Sequence, residues 1–437
     1  MSDGGIFFQD STRVDPTQTF ARSPATEPPR RNSRVLAIVM AGGNGSRLGP
    51  LTRWQSKPAL PFGAEYRNID FTLSNCINSG LRRIALLTQY KSHSLIQHVN
   101  QGWNFLDREI GEFCELWPAQ QRMGNRWYAG TADAVYQNVD LIEEIRPELV
   151  LVLAGDHIYK MDYRYMIAAH VQHGAAATIA CTEVPVADAG NYGILSIDSE
   201  RRVQTFAEKP KQPAGLPHRP DRALASMGIY VFDRATLIRH LMADARNADS
   251  RHDFGHDVLP SIIAEQSARA YVFVDPRTGQ PGYWRDVGTL DSYWEANMDL
   301  LSERGEIDLH DPDWPIRTHR LQCPPSKYTL SCDISESIVA AGCHVAGTVR
   351  RSVLFTNTYV GPGTSIEDSL VLPGARIGRD CVVRRAVIDS GFELADCSIV
   401  GEGLPSSRNH HVSEMGVTLV SSASPDATHA LRQRTAA

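Results

Sequence analysis

The chain has no Cys-x-x-Cys pair, no apolar run of membrane-spanning length and no excess of basic charge. Each absence closes off a class of function. The eight cysteines are scattered, so the paired spacing of zinc and dithiol sites is missing. They read as reduced, small hydrophobic side chains in a cytoplasmic protein. Without a span of about 20 apolar residues, no segment is predicted to cross a bilayer. The formal net charge of −6 disfavours a nucleic-acid partner, which calls for a basic face. It leaves room for a nucleotide pocket that needs only a few local cations. Residues 1–33 are rich in Pro, Arg, Ser and Thr and lack the apolar stretch of a signal peptide. They are expected to form a flexible tail.

What is present is enough chain, 437 residues, for two domains with a sizeable core. Continuous apolar runs at 35–40, 84–88, 149–154 and 176–180 have the character of strands buried on both faces. Helix-compatible stretches at 71–79 and 132–145 separate them, later strands are expected at 224–232 and 270–274, and 293–304 reads as a closing helix. Such alternation predicts a Rossmann-like, doubly wound α/β domain over 34–305, with ligands at the carboxyl ends of its strands. Pro312, Pro315, Pro324 and Pro325 mark a linker at 306–326. Beyond it, over 327–437, the pattern changes. Val360, Ile366, Leu372, Ile377, Val383 and Ile388 recur about every six positions, a solenoid-type repeat, with glycines between them. Short strands and tight corners at that period predict a parallel β-helix. An antiparallel sandwich is the rival reading, but hairpin dipeptides and strict alternation are weak here.

The most informative stretch begins at Val39-Met40-Ala41-Gly42-Gly43-Asn44-Gly45-Ser46-Arg47 and ends at Lys57-Pro58-Ala59-Leu60-Pro61. A strand empties into glycines that let backbone N–H groups approach a phosphate. Arg47 and Lys57 follow, two cations suited to charge developing on a departing phosphate. A Walker loop would need lysine and a hydroxyl directly after its last glycine, and a dinucleotide fingerprint would need Gly49 one residue earlier. A purely structural turn stays open on this stretch alone.

Further along, Asp156 directly follows the apolar run at 149–154, at the ligand-bearing edge of the sheet. A carboxylate there suits Mg²⁺, which takes few protein oxygens and several from phosphate; the same residue type also caps helices. Asp286, in the run Tyr283 to Thr289, offers a second acid, and two carboxylates from distant segments can hold one metal between them. Its alternative is a surface pair with Arg285. Glu208 and Lys209 end a predicted strand, where the acid suits sugar hydroxyls and the lysine a sugar phosphate. Trp127 to Val135 combines aromatics, a small-residue turn and a helix start, a place that favours anions. Asn409-His410-His411 lacks metal-type spacing and reads as exposed loop.

Together these segments resemble the sugar-1-phosphate nucleotidyltransferase family, and within it the ADP-glucose-forming bacterial branch. The residues that carry the likeness are the run from Ala41 to Pro61, Ile69 to Gly80, Pro118 to Met123, Trp127 to Val135, Ala154 to Lys160, Ala225 to Phe232 and Tyr283 to Gly288. The resemblance spans about 35–403 and implies that the second domain is a left-handed β-helix. It implies a reaction of ATP with α-D-glucose 1-phosphate that gives ADP-glucose and pyrophosphate for glycogen synthesis. By the same resemblance Arg47 and Lys57 handle the triphosphate, and Asp156 and Asp286 hold Mg²⁺. Gly42, Gly43, Gly45 and Gln121 contact the nucleotide, while Tyr128, Gly193, Glu208, Lys209 and Ser226 hold the sugar phosphate. Small-molecule effectors and a homotetramer are also implied.

The chain departs from relatives activated by fructose 1,6-bisphosphate. Trp54-Gln55 stands where they carry a basic pair, Pro61 replaces a basic or polar residue, and Glu144 replaces an arginine. Arg67, Arg384 and Arg385 remain as candidate effector contacts. Loss of cations weakens attraction for a bisphosphate, so catalysis is expected to be kept with an altered effector response. Three rival functions are a transferase for another base or sugar, a non-catalytic regulatory subunit, and a β-helix acyltransferase using His344.

Overall fold

The computed structural model describes residues 34–43, 45–121, 126–275, 278–302, 307–401 and 410–421. The expected tail lies outside them. At the centre of the first domain, strands Phe113–Pro118, Arg83–Thr88, Val35–Met40 and Leu149–Ala154 lie side by side and parallel. Val35 to Val39 are wholly buried, which is why this run carries no polar alternation. Connections leave Val35–Met40 in both directions, so a crevice opens at its carboxyl end. There the glycine loop and Asp156 emerge from neighbouring strands.

The sheet is mixed rather than purely parallel. The long strand Arg222–Asp233 runs antiparallel to Leu149–Ala154 and to Ala177–Pro185, and Ala268–Val272 adds parallel to the latter. The expected strand at 176–180 extends to Pro185 because this long partner pairs along its length. The helix expected at 132–145 is two helices, Thr131–Tyr136 and Val139–Ile145. At the break, the Asn138 side chain donates to the Ala134 carbonyl (2.8 Å) and so competes for a helix acceptor. The closing helix starts earlier than its apolar pattern suggests, at Leu290–Asp299, because Thr289 and Ser292 form a reciprocal capping box.

The linker is strapped to the first domain. Asn78 donates to the Pro315 carbonyl, Trp314 donates to Asn75, and Lys160 pairs with Asp311. Next comes the β-helix, with three parallel sheets whose strands stack coil on coil. Val349, Ile366, Val383 and Val400 form one buried column. Each of the six aliphatics that set the expected period is fully buried. Successive coils are 17 residues apart where the Thr364 hydroxyl accepts from the Cys381 N–H. Similar ladders run through Ser352 and Ser369. At the last coil, His410–Val412 pairs antiparallel with Thr418–Val420; His410 and His411 are strand residues, not loop, and Asn409 lies outside the described residues.

A single hydrophobic cluster joins the two domains. It holds Leu48, Leu51, Phe62, Phe71 and Trp294 from the first, and Val353, Phe355, Leu370 and Val387 from the β-helix.

Candidate active site

The glycine loop turns sharply after the strand Val35–Met40. Gly45 takes a left-handed conformation, and its carbonyl accepts from the Thr52 hydroxyl (2.8 Å). Lys91 Nζ in turn donates to the Thr52 carbonyl (2.6 Å). These bonds set the turn Ser46–Thr52 that carries Arg47. Gly43 has open space where a side chain would stand, and Asn44 lies outside the described residues.

Asp156 is placed by Gly155. The Gly155 N–H donates to the Met40 carbonyl (3.0 Å). A Cβ there would lie 2.9 Å from Ile69 and 3.0 Å from that same carbonyl, so only glycine lets the two strand ends close up. Beyond Asp156, the short strand His157–Tyr159 pairs with Trp284–Asp286, and His157 faces Asp286. This ladder brings together acids 130 positions apart in sequence. Lys57 binds both: its Nζ lies 2.6 Å from Asp286 Oδ1 and 2.8 Å from Asp156 Oδ2. Burial by itself lowers the Lys57 pKa, but the two carboxylates outweigh it and the net shift is upward. For Asp286, burial pushes the pKa up, while Lys57, His157 and Arg47 pull it down to about 2.

Two more cationic or polar groups face this pair. The Arg47 guanidinium lies beside Gly288, where a Cβ would come 2.9 Å from Nη2 and 3.2 Å from both Asp286 oxygens. His157 Nε2 lies 3.7 Å from Asp156 and 3.8 Å from Asp286. Its Nδ1 donates to the Met227 carbonyl (3.2 Å), which fixes the ring.

The acids fit a hard divalent ion. They already converge on one cation, the Lys57 ammonium, and Mg²⁺ is held by one or two carboxylates plus phosphate oxygens. Among the described residues no group of three or more His, Cys, Asp or Glu is arranged for a metal.

A line of rings leads from the acids to the sugar-side candidates. Trp284 meets His157 edge-on (5.2 Å between centroids) and Tyr192 (5.4 Å). The Tyr192 carbonyl accepts from the Lys209 N–H (3.0 Å), and Lys209 Nζ pairs with Glu208 Oε1 (2.8 Å). A Cβ on Gly193 would come within 2.9 Å of Glu208 Oε2, and one on Gly255 within 2.6 Å. These glycines leave room for the carboxylate. Ser226 lies in the long strand, 3.3 Å from the Tyr230 hydroxyl. Tyr128 is tied to the glycine loop through Gln89. Its N–H donates to Gln89 Oε1 (2.9 Å) and its hydroxyl accepts from Asn138 (2.9 Å), while Gln89 packs on Gly42. Gln121 stands beyond the strand Phe113–Pro118 in a left-handed conformation; Arg122 and Met123 of its motif lie outside the described residues.

A Nucleotidyl transferase family model matches residues 36–303, and a GlmU-like, C-terminal hexapeptide model matches 324–420. The chain is 49% identical over 398 residues to the glucose-1-phosphate adenylyltransferase of Methylococcus capsulatus, covering 90% of this chain and 94% of that protein. Identity and coverage are the same for glucose-1-phosphate adenylyltransferase 2 of Alkalilimnicola ehrlichii. For the Shewanella sp. glucose-1-phosphate adenylyltransferase identity is 48% over 395 residues, with coverages of 88% and 94%. The chain belongs to the glucose-1-phosphate adenylyltransferase family. Its first domain is a nucleotidyltransferase domain and its second a left-handed β-helix of hexapeptide type.

Within this adenylyltransferase fold the three candidate effector arginines have separate surroundings. Arg67 Nη1 donates to the Ala59 carbonyl (2.6 Å), close to Lys57 in the chain. Arg384 is exposed and pairs with Glu367 (3.5 Å). Arg385 turns the other way, with its guanidinium over the Trp294 ring (4.5 Å) and Nε donating to the Met415 carbonyl (3.3 Å). His344, the residue of the acyltransferase reading, packs edge-on against Tyr359 on the β-helix.

His157, Tyr192, Trp284, Gly255 and Gly288 shape the candidate site, although the sequence gives them no role. For His157 the signal was adjacency to Asp156 at a strand end. For Gly255 there was none, since its partner Glu208 is far away in the chain. Gly130 belongs with them. A Cβ there would stand 2.2 Å from the His252 carbonyl, which also accepts from the Ala132 N–H (2.9 Å). Gly130→Ala must push the helix Thr131–Tyr136 off this carbonyl. A loss of about 1–3 kcal/mol is expected from such overpacking, read by denaturant unfolding, with a raised KM for glucose 1-phosphate.

Proposed function

We propose that this chain transfers the adenylyl group of ATP to α-D-glucose 1-phosphate, giving ADP-glucose and pyrophosphate for α-glucan synthesis. The observation that carries the reading is the meeting of Asp156 and Asp286 on Lys57, beside Arg47. A phosphate oxygen of the sugar attacks the α-phosphorus in line. The new P–O bond forms as the bond to the β-phosphate oxygen breaks, and pyrophosphate leaves with that electron pair. No side-chain nucleophile is needed. The protein supplies alignment and charge compensation.

In this reading Arg47 and Lys57 face the leaving pyrophosphate, and Gly42, Gly43, Gly45 and Gln121 line the nucleotide. Glu208 receives sugar hydroxyls, Lys209 the sugar phosphate, and Tyr128, Gly193 and Ser226 complete that pocket. Asp156 and Asp286 hold Mg²⁺, which when bound supplies positive charge to the phosphates. His157, pinned at Nδ1, orients against the acids. Lys209→Ala is expected to raise KM for glucose 1-phosphate about 100-fold, by loss of a charge-assisted contact, with KM for ATP little changed. Equal effects on both would remove Lys209 from the sugar side.

A pyrophosphate-release assay across ATP, UTP and GTP tests the reaction: activity confined to ATP supports it, and a preference for UTP or GTP makes the chain another nucleotidyltransferase. Fructose 1,6-bisphosphate is expected to activate weakly, given Trp54, Gln55 and Pro61; strong activation at micromolar concentration would contradict that. The cytoplasm is the proposed compartment, where ATP and a free sugar phosphate would be met; no helix among the described residues is long and apolar enough to cross a membrane. A homotetramer is proposed as well. The first β-helix coil leaves Tyr328, Cys332, Ile334 and Val339 around an open hollow, with Leu330 fully exposed, and solenoid ends call for a cap. Light scattering reads the assembly.

A further inference from the structure

We infer that Lys57 keeps the acidic pair closed to free metal until a nucleotide arrives. This rests on the reading of Asp156 and Asp286 as metal ligands. The ammonium now stands where a shared cation would stand, within 2.8 Å of both carboxylates. It is also the deepest of the three groups: its side chain is 8% exposed, against 19% for Asp286 and 27% for Asp156. The acids are therefore more open to solvent than the lysine that bridges them.

Its backbone cannot move with it. The Lys57 carbonyl accepts from Asn68 Nδ2 (3.0 Å) and from the Leu60 N–H (3.2 Å), and Pro58 follows. Only the flexible four-carbon stem is free to swing. With Lys57 in place the trio carries one net negative charge, and Arg47 lies alongside. Counting Arg47 the four groups are neutral, so a divalent ion entering alone gains no net attraction to offset the loss of its water in a partly buried site. That is unfavourable where dielectric screening is weak. A triphosphate reverses the balance. It gives the ammonium new oxygen acceptors and leaves the carboxylates to the metal it brings. Lys57 is thus a positioning residue before the reaction as well as a phosphate contact during it.

The test is Mn²⁺ binding to the free protein, followed by the paramagnetic resonance of the unbound ion, with no nucleotide present. Wild type is expected to take up no Mn²⁺ at micromolar concentrations. Lys57→Met, which keeps the stem and removes the charge, is expected to bind one ion at least about ten-fold more tightly, and Asp156→Asn in that background should abolish it. Lys57→Gln serves if the methionine variant does not fold. Tight uptake by the wild type, lost in Asp156→Asn, overturns the inference. So does a folded Lys57→Met or Lys57→Gln that binds no more tightly than wild type. A third arm adds α,β-methylene-ATP to the wild type and records the spectrum of bound Mn²⁺. Protein-coordinated metal there, with no gain in the lysine variants, sinks the gate alone. No protein-coordinated metal in any arm sinks the ligand assignment beneath it.

Discussion

Asp156→Asn is expected to lower turnover by about three orders of magnitude, the scale of losing charge stabilisation at a reacting phosphate, and to leave the fold intact. The asparagine oxygen can still accept from Lys57 Nζ, and the Lys57–Asp286 pair at 2.6 Å is untouched. What disappears is one negative charge at the end of the strand Leu149–Ala154. On the proposed reading the pocket loses a ligand for the divalent ion, and Lys57 is held by one carboxylate in place of two. The effect should fall on kcat, measured as pyrophosphate release at saturating ATP, glucose 1-phosphate and Mg²⁺. The melting temperature should stay within a few degrees of wild type. Asp156→Glu keeps the charge but adds a methylene between Gly155, locked to Met40, and the proposed metal position. It should recover only part of the loss. Near-normal turnover in Asp156→Asn would take Asp156 out of the metal role and, with it, the chemistry argued above.

Much of this site could be read along the chain, because its parts sit at strand ends. Buried parallel strands are continuous apolar runs, so 35–40 and 149–154 declare themselves, and the residues that follow them lie in the crevice by topology alone. The β-helix was legible for a similar reason: a fixed coil length returns aliphatics to the same interior column. Convergence of Asp156 and Asp286 was expected from the paired acids and the resemblance, but the route to it was not legible. Asp286 reaches Asp156 through a ladder of three residues a side, His157–Tyr159 on Trp284–Asp286, too short for any periodicity to show. Lys57 followed the glycine loop as a phosphate contact, and nothing in its neighbours said that it would bind both acids. Gly255 looks like an ordinary turn residue until Glu208 is placed against it. The hydroxyl ladder through Ser352 and Ser369 is equally silent, since isolated serines in a repeat suggest exposed corners, whereas here they are buried acceptors.

Trp294→Ala is expected to be among the most damaging single changes outside the site, by uncoupling the two domains. The indole lies in the helix Leu290–Asp299, nearly buried. Its Nε1 donates to the Asp368 carbonyl of the β-helix (2.9 Å), and the Arg385 guanidinium covers its face. One turn earlier, Asp291 accepts from the Ser413 hydroxyl and the Met415 N–H. Truncation removes a large buried ring, a loss of about 3–5 kcal/mol, and strands a carbonyl that then lacks its donor, at about 1–3 kcal/mol. The damage does not stop at the seam. The same helix packs on the turn Ser46–Thr52, and Leu48 and Leu51 share the cluster with Val353 and Leu370. That turn carries Arg47, so loosening the seam loosens the proposed triphosphate contact. Calorimetry should show one cooperative transition for the wild type. For Trp294→Ala it should show a lower and split one, and KM for ATP should rise more than KM for glucose 1-phosphate, because Lys209 and Glu208 hang from other strands. Trp294→Phe, which restores most of the volume but no donor, should lie between. A single unshifted transition in Trp294→Ala would mean that the domains hold together through other contacts, and that the β-helix has no grip on the glycine loop through this residue.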